Sequence, residues 1–132
     1  MPVRLRALPE EEFAVLQARL SAGVGERDDL RRATKHLLAL LAERAPGHSV
    51  EVRVPPFAAV QCIPGARHTR GTPPAVVETD ADTWLSLATG QLLWAAAVSD
   101  GRVRASGNRS DLSPWLPLVH TPPQPPRAGP AL

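Results

Sequence analysis

The sequence predicts an α+β domain, a mainly antiparallel sheet of four to five strands with helices packed on one face. Three observations carry that expectation. The apolar period is helical up to about Arg44 and switches to strict alternation at Val50-Glu51-Val52-Arg53-Val54. The strands that follow are short, and only Pro55-Pro56 separates the first from the second, which favours a turn back on itself. Glycines then punctuate the second half at helix-length and strand-length intervals.

Pro9 followed by Glu10, Glu11 and Glu12 marks the first turn of a helix, where carboxylates meet the positive end of the dipole. Phe13, Leu16 and Leu20 share one face, and Gly23 and Gly25 end the helix. From Arg27 to Arg44, Leu30, Ala33, Leu37, Leu38 and Leu41 form an apolar stripe, with Arg31, Arg32, Lys35, Glu43 and Arg44 mostly off it. Pro46-Gly47 stops this second helix. Val50, Val52 and Val54 make a half-buried strand, Phe57 to Ile63 a second one, and Ala75 to Thr79 a third.

Asp80 is a natural N-cap for a helix through Trp84, Leu85, Leu87 and Ala88, closed by Gly90. A short helix follows from Leu92 to Ser99 and stops at Gly101. Arg102 to Ser106 reads as a strand with Val103 and Ala105 inward, and Ser110 or Asp111 caps a last helical turn carrying Leu112, Trp115 and Leu116. The domain is therefore expected over residues 9–119, after a flexible N-terminus at 1–8. The tail at 120–132 is Pro-rich and expected to be disordered or polyproline II. Its PPQPPR fits a Pro-x-x-Pro-x-Arg peptide-ligand pattern, but composition alone predicts a solvated tail.

Composition narrows the function classes. A chain of 132 residues is one domain by length and can bury a real core. Basic residues number 15 and acidic ones 13, and all the basic ones except Lys35 are arginine. The acids are interspersed and aromatics are 4 %, so no nucleic-acid partner is expected. Cys62 is the single cysteine, which rules out an intrachain disulfide. The N-terminus lacks an apolar signal core. Apolar runs such as Leu37 to Ala42 fall far short of the roughly 20 residues that span a bilayer. These features predict a soluble, cytoplasmic protein with no transmembrane segment.

Catalytic patterns are sparse. His36, His48, His68 and His120 form no His-x-His pair, and Cys62 has no Cys-x-x-Cys partner, so no metal or other cofactor is expected. Gly-x-Ser-x-Gly is absent, and Gly65 and Gly71 make no phosphate-loop fingerprint. Cys62 falls within a strand, where thiols are usually buried and inert. The segment PGARHTRGTPP, residues 64–74, reads first as a connection between strands. Its arginines and histidine also suit a head-group contact at the mouth of a cavity.

Residues 83–118, TWLSLATGQLLWAAAVSDGRVRASGNRSDLSPWLPL, resemble the C-terminal half of the sterol carrier protein type 2 family. Gly90, Leu92, Gly101, Val103, Gly107 and Asn108 stand where that family places its glycine-punctuated helices, strand and exit turn. VRVPPFAAVQC followed by RHTRGTPPAVVETD is similar to the actinobacterial branch, the bacterial sterol carrier orthologs. The resemblance implies a five-stranded sheet covered by helices, with an apolar tunnel between them for a fatty acyl or sterol-like molecule; with no catalytic constellation in the sequence, non-catalytic binding is expected. It places Val52, Val60, Leu85, Leu92, Val98, Leu112, Trp115 and Leu116 as walls, with His68 and Arg70 at the polar end. The sequence departs from that pattern in two ways: four strands are readable and a fifth fits only within Ala66 to Thr72, and few aromatics are available as lining. Two alternatives stand beside the carrier. One is an accessory or interaction domain with a filled core, acting with a separate enzyme such as a mycothiol-dependent one. The other is an enzyme using His68, Arg70 and Cys62.

Overall fold

Val50, Val52 and Val54 are fully buried, while Glu51 is half-buried and Arg53 exposed. The period of two therefore decides which face of the sheet meets the helices. The computed structural model describes residues 5–65, 75–107 and 110–119. Within them the order is α1 (Glu10–Ser21), α2 (Arg27–Arg44), β1 (Val50–Val54), β2 (Ala58–Cys62), β3 (Ala75–Thr79), α3 (Ala81–Ala88), α4 (Trp94–Ser99), β4 (Val103–Ser106) and a single 3-10 turn (Ser113–Trp115). None of these helices is long and apolar enough to cross a membrane.

The strands lie in the order β2-β1-β3-β4. β1 and β2 form an antiparallel hairpin with Val52 opposite Val60. Its turn holds a cis Pro55-Pro56 peptide, closed by the Phe57 N–H donating to the Val54 carbonyl at 2.9 Å. Proline thus sits outside the ladder, as its missing N–H requires. β3 runs parallel to β1, with Val52 opposite Val77, and β4 is antiparallel to β3, with Thr79 opposite Val103. Two of the three pairings are antiparallel, so the sheet is mixed and mainly antiparallel. The fifth strand considered for Ala66 to Thr72 lies outside the described residues.

The covered face carries Val50, Val52, Val54, Cys62 and Val77, all fully buried. Leu37, Leu38 and Leu41 of α2 and Trp84 and Leu87 of α3 are equally buried and belong to the same core. Burying each such side chain contributes about 1.5–3 kcal/mol, the main favourable term holding the helical layer to the sheet. The Trp84 indole N–H donates to the Thr34 carbonyl at 3.3 Å, which satisfies its polar atom inside that layer. The opposite face displays Arg53, Ala59, Gln61 and Arg104, all exposed.

The ends of the helices follow the sequence signals. The Asp80 carboxylate accepts from the Thr83 N–H at 2.8 Å and from the Thr83 hydroxyl at 2.9 Å, the expected N-cap. At the end of α4, Gly101 takes φ 73°, which lets its N–H reach the Val98 carbonyl and the Arg102 N–H reach the Ala97 carbonyl. That pair of hydrogen bonds closes a helix in the left-handed conformation, which glycine adopts without the backbone strain a side chain would bring.

Three expectations are corrected. Ala105 shares the covered face with Val77 but is exposed, because it lies on an edge strand where the helical layer stops short of it. The helix expected from Leu92 begins only at Trp94, with Leu93 extended before it. The last helical turn is a 3-10 turn whose Ser113 N–H is held by the Asp111 carboxylate at 2.8 Å.

Candidate functional site

The predicted wall residues do not share one space. Val52 and Leu112 are fully buried in the core and line neither of the two hollows described below. Val60, Leu85, Leu92, Trp115 and Leu116 are half-buried against the core, and Val98 is 41 % exposed. His68 and Arg70 lie outside the described residues. Between sheet and helices the row of described valines and leucines is fully buried.

A hollow of mixed polar and apolar lining does occur among the helices. It is a groove of about 210 Å³ between α1, α2 and α3. Phe13 and Leu20 of α1, Leu30 and Ala33 of α2 and Leu85 of α3 supply its apolar lining. Ala33 is the small member of the α2 stripe and is itself fully covered at the base of the groove. Gln17, Asp82, Ser86, Thr89 and Gln91 supply the polar groups of the rim. Among the described residues the rim carries an acid and no lysine or arginine. Of the predicted walls, Leu85 alone belongs to this groove. The stripe spacing named Leu20, Leu30 and Ala33 as helix-face residues, but nothing in that spacing signals a groove between three helices.

A second hollow of about 460 Å³ lies along β4 and takes in Val98, Val103 and Ala105. It opens across Arg53, Glu78 and Arg104 on the polar face, so an apolar chain there would lie against charges.

The described chain is hydrogen-bonded close to both sides of residues 66–74, at Ile63 and at Ala75. The Ile63 N–H donates to the Ala45 carbonyl at 2.6 Å, and the Ser49 hydroxyl donates to the Ile63 carbonyl at 2.7 Å. On the far side, the Ala75 N–H donates to the Ser49 carbonyl at 3.1 Å. Gly47 makes this junction feasible, since a β-carbon there would come within 2.1 Å of the Ile63 carbonyl oxygen. Ala45 follows Ala33 by twelve residues along and just past α2, about 18 Å at 1.5 Å per residue, so the junction stands well away from the groove.

Two groups with chemical potential are held quiet. Burial pushes the Cys62 thiol up to about 12, so it carries almost no thiolate near neutrality. His36 is buried, stacks on Phe13 with ring centroids 4.2 Å apart and accepts the Leu8 N–H at Nδ1, 2.8 Å away. Burial holds its pKa below the usual 6.5 against the opposing charge of Glu43. A protonated Nδ1 could not accept that bond, so the geometry demands the neutral ring. Among the described residues, no three His, Cys, Asp or Glu side chains converge as metal ligands.

A family model described as bacterial SCP ortholog matches residues 26–118. The matched span begins just before α2 and takes in the whole sheet, so α1, with the Phe13 and Leu20 side of the groove, precedes it. No curated protein matches the chain.

Proposed function

On the premise that this chain belongs to the bacterial SCP ortholog family, we propose that it binds an apolar, lipid-like molecule without chemically changing it, and that the groove between α1, α2 and α3 receives the apolar part. The supporting observation is the groove itself, a concave space floored by Phe13, Leu20, Leu30 and Leu85. Its 210 Å³ lies below the roughly 300–1,000 Å³ of pockets that enclose a whole drug-sized ligand. It suits a segment of a chain or one edge of a ring system, at about 0.8 kcal/mol for each methylene buried.

The rim selects the head. Asp82 is acidic, and Gln17, Ser86 and Gln91 are neutral, so a hydroxyl or amide head is favoured over a carboxylate. Native mass spectrometry of gently purified protein should show a lipid-sized adduct. A fluorescent fatty alcohol should bind more tightly than the matching fatty acid. Leu85→Gln should weaken the alcohol about tenfold, the effect of losing roughly 50–60 Å² of apolar contact. Adduct-free protein that binds neither probe would end this reading.

A second reading is favoured by the complete burial of the valines and leucines between sheet and helices. In it the domain is an accessory module acting with a separate enzyme, and the groove serves a protein rather than a lipid. Capture of a stable stoichiometric partner by protein that binds neither fluorescent probe would decide for it.

A further inference from the structure

We infer that residues 122–127, Pro-Pro-Gln-Pro-Pro-Arg, dock in cis into the α1–α2–α3 groove and compete there with the apolar ligand. The competition rests on the ligand reading above; the docking does not. Three observations converge on it.

The first is where the described chain ends. The Leu118 and Val119 N–H groups both donate to the Ala88 carbonyl, at 2.8 and 3.2 Å. Arg44 fastens the same segment by donating to the carbonyls of Trp115, Pro117 and Leu118. Val119 is thereby fixed beside the end of α3, one residue from Thr89 on the groove rim. The second is reach. From Val119 to Arg127 is eight residues, about 25 Å as a polyproline II helix. From Ala88 back to Asp82 along α3 is about 9 Å. The third is complementarity. Four of the six residues are prolines, whose rings suit an apolar floor that includes the Phe13 ring. Arg127 is the cation of the segment. Asp82 is the acid on the rim, exposed and in no ion pair among the described residues. A proline-rich segment is already stiff, so docking it costs little further entropy.

The test uses the full chain with Ala128→Cys carrying a nitroxide. Cys62 stays unlabelled because its thiol is buried and pushed up to about 12. Methyl NMR should show the Leu20, Leu30 and Leu85 signals selectively broadened and Val60 on β2 spared. The pattern should not change on dilution. Arg127→Glu should abolish most of it, and adding Asp82→Arg should restore it. Uniform or absent broadening overturns the docking. So does broadening that appears only when labelled chains are mixed with methyl-labelled, spin-free ones, which would make the occupant a second copy. Without the nitroxide, Arg127→Glu should raise fatty-alcohol affinity several-fold. Selective broadening with unchanged affinity overturns the competition and the groove's ligand role while the docking stands. If no lipid binds at all, the NMR arm still decides the docking.

Discussion

Thr34 is fully buried, and its hydroxyl has no hydrogen-bond partner among the described residues. A buried polar group left unpaired costs about 1–3 kcal/mol, whereas an apolar group of the same shape costs nothing of the kind. Thr34→Val should therefore stabilise the fold, by about 1 kcal/mol, read from the urea midpoint at unchanged slope. A loss of stability would mean that the hydroxyl does find a partner. His36 makes the opposite case, a buried polar group that is satisfied, but only when neutral. Its folded pKa lies below the unfolded 6.5, so the unfolded chain takes up the proton first. The stability it contributes is complete above about pH 6.5 and is lost as pH falls from there through the lower folded value. Urea unfolding at a series of pH values should show that slope, and His36→Phe, which keeps the stacking but cannot titrate, should flatten it. Asp80 adds loss only in more acid solution. Burial works against its charge, but the Thr83 hydrogen bonds and Arg102 hold its pKa below the ordinary carboxylate value.

At the scale of elements, Arg44 shows what a linear reading misses. It stands in the last turn of α2, where a cation is already explained by the helix dipole. In the fold its guanidinium also gathers three carbonyls from residues more than seventy positions away. Arg44→Met should leave the sheet and α2 intact but loosen the last segment. Amide exchange at Leu118 and Val119, whose N–H groups bond Ala88, should quicken about tenfold or more. Unchanged exchange there would show that Leu118 packing alone holds the segment. The same contrast separates what was legible from what was not. Asp80, Gly101 and the β1 alternation act through neighbours a few residues away, so their roles can be read along the chain. The parallel pairing of β1 with β3, the exposure of Ala105 and the groove depend on how distant elements settle against one another. Leu85 was named as a wall residue on resemblance and does line a hollow, but with α1 and α2 rather than with the sheet.

For the whole molecule the open issue is which space an apolar ligand would use. Leu112 decides it, because it is fully buried in the core and was also expected as a tunnel wall. Leu112→Ala removes three heavy atoms from a close-packed region, at a cost of about 2–5 kcal/mol depending on how far the surroundings collapse. Val52→Ala is the milder form of the same change, for use if Leu112→Ala fails to fold. If the ligand sits in the groove, either substitution lowers stability and leaves fatty-alcohol affinity unchanged, since Val52 and Leu112 lie outside the groove. If the ligand enters between sheet and helices, emptying that layer enlarges its site, and affinity rises even as stability falls. The two responses have opposite consequences for Leu85→Gln, which weakens binding only in the first case. Measured together, stability and affinity across these variants separate a core that holds the fold from a core that opens to receive cargo.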